Sequence, residues 1–138
     1  LLAYLENDAL RHYLEQVDMV PFTAYTVTDK NRLLDILAET RHRGYAVNNQ
    51  ELAPDQASVA ATIFQGDGRP AASICLSGTV DRILGEDADR LVTDLRKTAA
   101  EISKYMGYFP AAPEQNRPHT TASGVALLRP FSPGVFSG

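Results

Sequence analysis

Hydrophobic residues recur along this chain with two different periods, and each change of period marks a change of element. Leu1, Leu2 and Leu5, then Leu10, Tyr13, Leu14 and Val17, return every three or four residues, the spacing of one helix face. Asn7 interrupts the run as a candidate N-cap, so a short helix end is followed by a second helix to about Gln16, with Pro21 closing the unit. FTAYTV (22–27) reads as a short strand or an extended connector. Thr28 is the expected cap of the next helix, whose apolar stripe is Leu33, Leu34, Ile36 and Leu37. Gly44, behind Arg41, His42 and Arg43, is its expected left-handed stop, since cations favour a helix C-terminus. YAVN (45–48) reads as a strand, and NNQELAPDQ as a loop broken by Pro54.

The period then shortens to two. ASVAATIF (57–64) and PAASICLSG (70–78) are two strands flanking QGDGR, where Asp67-Gly68 predicts a two-residue type I′ hairpin turn. That turn sets Ser58 against Ser77, Ala60 against Cys75 and Thr62 against Ser73 on one face. Val59 then meets Leu76 and Ala61 meets Ile74 on the other. One side of the ribbon is greasy; its back carries short hydroxyl, thiol and methyl groups.

Helical spacing returns afterwards. Thr79 is placed to cap a short helix to about Leu84, and from Glu86 a long helix carries Leu91, Val92, Leu95, Thr98, Ile102 and Met106 until Gly107 stops it. The elements amount to an α+β domain: an antiparallel sheet with helices packed mainly on one face and a long C-terminal helix. The last thirty residues hold five prolines and little periodicity, so 109–138 reads as a Pro-rich tail, with VALLRPF (125–131) as a candidate added strand.

Composition narrows the function. The 138 residues suffice for one core, and no apolar run nears the roughly 20 residues that span a bilayer, so no membrane partner is expected. The chain starts on a helical pattern without Met or signal peptide, as a piece of a longer protein would. A lone cysteine builds no disulfide framework and suits a reducing cytoplasm. Net charge is −4, and the basic residues are scattered apart from RHR (41–43), so this part is a poor DNA binder.

The hairpin's short, polar face is the candidate site. Covering helices would normally recruit large apolar residues there, and open solvent would recruit charge; neither Lys, Arg, Asp nor Glu occurs in 57–64 or 70–78. Three readings remain: a solvent-facing side, a pocket for a small polar molecule, or a subunit interface. Cys75 lacks any local nucleophile signature, no GxSxG elbow surrounds Ser58, Ser73 or Ser77, and no spacing fits a metal site. No enzyme, cofactor or metal is expected.

The ordered set LLAYL, FTAYTVTD, RHRGYAVNNQE, ASVAATIFQGDGRPAASICLSG and AAEISKYMGY resembles the C-terminal effector-binding domain of IclR-type bacterial transcriptional regulators, the isocitrate lyase regulator family. The resemblance covers 1–108. It implies a fold related to GAF and PAS sensor domains, with helices on one sheet face and ligand on the other. It also implies a small organic or aromatic acid as effector, DNA binding through an N-terminal winged helix-turn-helix lying outside this sequence, and a homodimer or tetramer. Carried over by position, the small-acid subgroup's contacts fall on Asn48, Ser58, Cys75 and Ser77, with Gln56 where that subgroup has an apolar wall. The subgroup has an acid at position 48, Cys at 58 and Ser at 75, so the resemblance carries over the pocket and not the identity of the effector. Further family contacts come from a Gly/Ala-rich turn preceding LLAYL. The alternative is an assembly-only oligomerisation domain without ligand.

Overall fold

The computed structural model describes residues 1–110; the tail over 111–138, with the candidate strand VALLRPF and His119, lies outside the described residues. A 3₁₀ turn, Leu2–Tyr4, leads into α1 (Asn7–Gln16) and α2 (Lys30–Arg43). Then come β1 (Ala46–Asn49), β2 (Gln56–Phe64), β3 (Pro70–Thr79), α3 (Val80–Leu84) and α4 (Ala88–Tyr105). The strands form one antiparallel sheet in the order β1-β2-β3.

Capping decides where the helices begin, and here two expectations are corrected. Asn7 is the first residue of α1 rather than its cap; Glu6 takes the cap position in extended conformation. Asp29, not Thr28, caps α2: its Oδ1 accepts from the Arg32 N–H at 2.7 Å. A carboxylate beside the positive end of a helix is a stronger acceptor than a hydroxyl. Gly44 ends α2 at φ 81 as expected, returning its N–H to Thr40 O at 2.9 Å. FTAYTV is neither strand nor extended: Phe22–Tyr25 fold into a turn around the Thr26 hydroxyl, which accepts from Phe22 N at 3.0 Å and Thr23 N at 2.9 Å.

The hairpin register agrees with the sequence, for a different reason. The loop is three residues, Gly66 to Gly68. Gly68 N–H donates to Gln65 O at 2.8 Å, Gln65 N–H donates to Arg69 O at 3.0 Å, and only Gly68 in the loop takes a positive φ. A type I turn followed by a left-handed glycine fits these bonds. Alone, this loop would slip the pairing by one and turn every side chain over. The slip is absorbed at once: Phe64 pairs with Pro70 and Ile63 with Ala72, leaving Ala71 as a bulge residue. Ser58 therefore does face Ser77, and Thr62 faces Ser73.

Burial follows that alternation. Ala57, Val59, Ala61 and Ile63 of β2 are buried under Ile83 of α3 and Leu95 and Ala99 of α4, with Val47, Ile74, Leu76, Val92 and Ile102 packed around them. The buried seam of α4 is Leu95, Ala99 and Ser103, a strict four-residue row. Thr98 and Met106, expected on the stripe, are exposed. Small residues win the seam because they let the helix lie close on a sheet whose own inward residues include Ala57 and Ala61. On the other side of the molecule, Arg41 of α2 donates from Nε to Ala3 O at 2.6 Å, and Tyr4 sets its ring edge-on to Phe64 at 4.9 Å.

Candidate functional site

Cross-strand pairing builds the site in rungs. Asn48 of β1 pairs with Ser58 of β2, which pairs with Ser77 of β3, so three hydrogen-bonding side chains stand abreast on the face away from α3 and α4. Gln56 and Thr79 make the next rung toward the β1–β2 loop. Ala46, Ala60 and Cys75 make the next in the opposite direction, and Thr62 and Ser73 the last. On β2, Ser58, Ala60 and Thr62 are half-buried and Gln56 is exposed; Ser73, Cys75 and Ser77 on β3 are exposed.

A depression of about 420 Å³ lies over the first two rungs, lined by Asn48, Gln56, Ser58 and Ser77 together with Leu52 and Thr79. Its size suits a small organic molecule. Four of the five residues singled out in the sequence thus meet in one place. Cys75 does not line it; its Sγ lies 3.5 Å from Ser77 Oγ, one step along the strand. Leu52 and Thr79 were missed. Thr79 follows Ser77 at the strand period, so its side was legible; Leu52 projects from an irregular loop and carried no signal.

Hydrogen bonds fix the polarity of the walls. Asn48 Oδ1 accepts from the Glu51 N–H at 3.1 Å, which commits the oxygen and leaves the NH₂ as the group to offer. No Lys or Arg lines the depression. Glu51 lies in the loop between the lining residues Asn48 and Leu52; burial holds the pKa of its carboxyl above the ordinary carboxylate value, while backbone N–H groups of Asn49 and Val27 oppose the rise. Among the described residues no cluster of His, Cys, Asp or Glu could hold a metal ion. A groove of about 410 Å³ between α1 and α2, over Leu10, Leu14 and Leu34, is greasier, and its polar groups Asn7, Arg11, Glu15 and Lys30 hang from two separate helices rather than standing abreast on paired strands. The sheet depression is the better chemical site.

Among the described residues no helix is long and apolar enough to cross a membrane. The family model described as "Bacterial transcriptional regulator IclR C-terminal" matches residues 1–104. The HTH-type transcriptional regulator BhcR of Paracoccus denitrificans is 33% identical over 103 residues, which are 75% of this chain and 37% of BhcR. The crystal structure of Thermotoga maritima IclR superposes with a TM-score of 0.70 at 35% identity, over 78% of this chain and 43% of that one. The C-terminal domain of Escherichia coli KdgR gives 0.72 at 30% identity, over 78% and 65%. The chain spans less than half the length of the curated relatives it matches, such as the 37% of BhcR. These relatives are named as regulators of transcription. With three quarters of its length under that family model, the chain belongs to the IclR family of bacterial transcriptional regulators, as a C-terminal domain.

Proposed function

We propose that this domain senses a small organic or aromatic acid in the depression over the Asn48–Ser58–Ser77 rung. Occupancy passes to a winged helix-turn-helix elsewhere in a full-length cytoplasmic regulator that assembles as a homodimer or tetramer. The observation that carries the reading is the rung itself, three neutral hydrogen-bonding side chains aligned on the sheet face away from α3 and α4. A carboxylate taken from water without partners is costly. Here the Ser58 and Ser77 hydroxyls and the Asn48 NH₂ supply donors without a cation, and Leu52 offers an apolar wall. The net charge of −4 leaves DNA contact to another part of the protein. A ligand changes DNA binding only by preferring one state of the oligomer over the other.

Thermal-shift screening of small carboxylates and aromatic acids tests this. A ligand at a hundred times its Kd adds roughly 2.7 kcal/mol of stability. Ser77→Ala and Asn48→Leu should both abolish that shift, Ser77→Ala at an unchanged ligand-free melting point and Asn48→Leu at a lower one because it strands the Glu51 N–H; an unchanged shift removes both residues from the site. A second reading is favoured by the exposed Ser73, Cys75 and Ser77 on edge strand β3, which suit a surface for another copy of the chain. In that case sedimentation shows concentration-dependent assembly and no acid shifts the melt.

A further inference from the structure

Gln50 and Glu51, in the loop between the lining residues Asn48 and Leu52, are bonded on two sides. The Gln50 N–H donates to Gln56 O at 2.8 Å, and the Gln50 carbonyl accepts from Thr23 Oγ1 at 2.7 Å. The Glu51 N–H donates to Asn48 Oδ1 at 3.1 Å, and its carbonyl accepts from Thr26 Oγ1 at 2.6 Å. The inward partners, Asn48 and Gln56, line the depression. The outward partners belong to the α1–α2 connector, 27 and 25 residues away in sequence.

Both hydroxyls are themselves fixed. Thr26 Oγ1 accepts from the N–H groups of Phe22 and Thr23, and Thr23 Oγ1 accepts from Tyr25 N at 3.0 Å. The loop they hold is not relaxed: Gln50 stands at φ 62 and Asp55 at φ 57, left-handed conformations that such residues keep only where surrounding bonds impose them. The Gln50 side chain spans the loop, its Oε1 accepting from Asp55 N at 3.2 Å.

We infer that Thr23 and Thr26 are positioning residues for the depression. Their hydroxyls hold Gln50 and Glu51 so that Asn48, Leu52 and Gln56 stand in binding geometry, and they link occupancy of the depression to the α1–α2 connector. The link to binding rests on the effector reading above. A carbonyl accepts only from a donor, so valine, which matches threonine in shape, cannot replace either hydroxyl. Whatever the clamp adds to ligand affinity, ligand returns to the order of the connector by the same factor.

The test uses the full 138-residue chain with Thr23→Val/Thr26→Val and Thr23→Ser/Thr26→Ser. Without ligand, the valine pair should speed amide exchange at Gln50 and Glu51 by about tenfold while Val59 and Ala61 in β2 keep wild-type rates, and the serine pair should restore protection. With benzoate or succinate titrated by calorimetry, the valine pair should raise Kd by about tenfold and the serine pair should return it. Unchanged exchange at Gln50 and Glu51, or equal acceleration in β2, overturns the clamp. Faster exchange with an unchanged Kd overturns its link to binding. Should wild type bind neither acid, the acid-sensor reading fails, and the exchange measurement still decides the clamp.

Discussion

The backbone N–H of Phe64 donates to Ser103 Oγ at 3.0 Å, and that hydroxyl donates onward to Ala99 O at 2.7 Å. β1 stops opposite Ala60, so among the described residues no strand stands on that side of β2 further along. Gln65 turns its N–H toward Arg69, and its neighbour Phe64 points the other way, where α4 supplies a serine in place of a strand. Ser103 is 2% exposed. Ser103→Ala keeps the close helix–sheet contact but strands a donor, at an expected cost of about 1–3 kcal/mol. Urea unfolding should show a lower midpoint with an unchanged slope; wild-type stability would mean that water replaces the hydroxyl.

The hairpin loop should answer to both conformation and acid. Gly68 at φ 81 has only the Tyr108 ring edge near its missing Cβ, at 3.8 Å, so Gly68→Ala costs backbone strain rather than a clash. The expected loss is about 1–2 kcal/mol. Asp67 Oδ1 accepts from Arg69 N at 3.0 Å, and Oδ2 meets Arg69 Nε at 2.6 Å. The backbone bond first and the guanidinium second hold its pKa below the ordinary 3.8. Its contribution is therefore complete above 3.8 and lost as pH falls through the lower folded value. Asp67→Asn should differ from wild type at neutral pH and converge with it in acid, as followed by circular dichroism.

This loop also shows why some of the fold was legible and some was not. Alternation from Ala57 to Ile63 reported which face is buried, because a period of two is imposed by the strand itself. The bulge at Ala71 has no such signature: alanine fits either a bulge or a ladder. The pairing of Ser58 with Ser77 follows equally from a two-residue turn and from the three-residue loop plus bulge that the chain adopts, so the sequence pattern does not distinguish them. In α4 the apolar spacing points to Thr98 and Met106, whereas volume, not hydrophobicity, selects Ala99 and Ser103 for the seam. In the site, residues on strands were legible, while Leu52 and the Thr23–Gln50 and Thr26–Glu51 bonds depend on long-range contacts that no local pattern encodes.

Glu51 gives the site a pH dependence of known sign. Burial raises its folded pKa above 4.5, so the folded chain keeps this proton to higher pH than the unfolded chain does. Stability then falls as pH climbs from 4.5 through the raised folded value and levels off beyond it. Glu51→Gln leaves the main-chain bonds to Asn48 and Thr26 in place and removes the titration. Urea midpoints across roughly pH 4 to 8 should therefore move in favour of the variant through that window and then run parallel. A difference that stays flat would place the carboxyl in water.

Cys75 offers a chemical ruler for the depression. Its thiol is exposed and lies 3.5 Å from Ser77 Oγ, yet it stands outside the lining. An acid held against Ser77 should shield Sγ without needing it. Cys75→Ser, which keeps a small polar group on the same rung, is expected to hold benzoate within about threefold of wild type. Carboxamidomethylation instead extends the side chain toward Ser77 and should weaken binding well beyond that. Iodoacetamide labelling of wild type, read by mass spectrometry, should slow severalfold under saturating benzoate. Labelling indifferent to bound benzoate would locate the acid elsewhere, because a molecule filling the space over Ser58 and Ser77 cannot leave a sulfur one rung away equally open to attack.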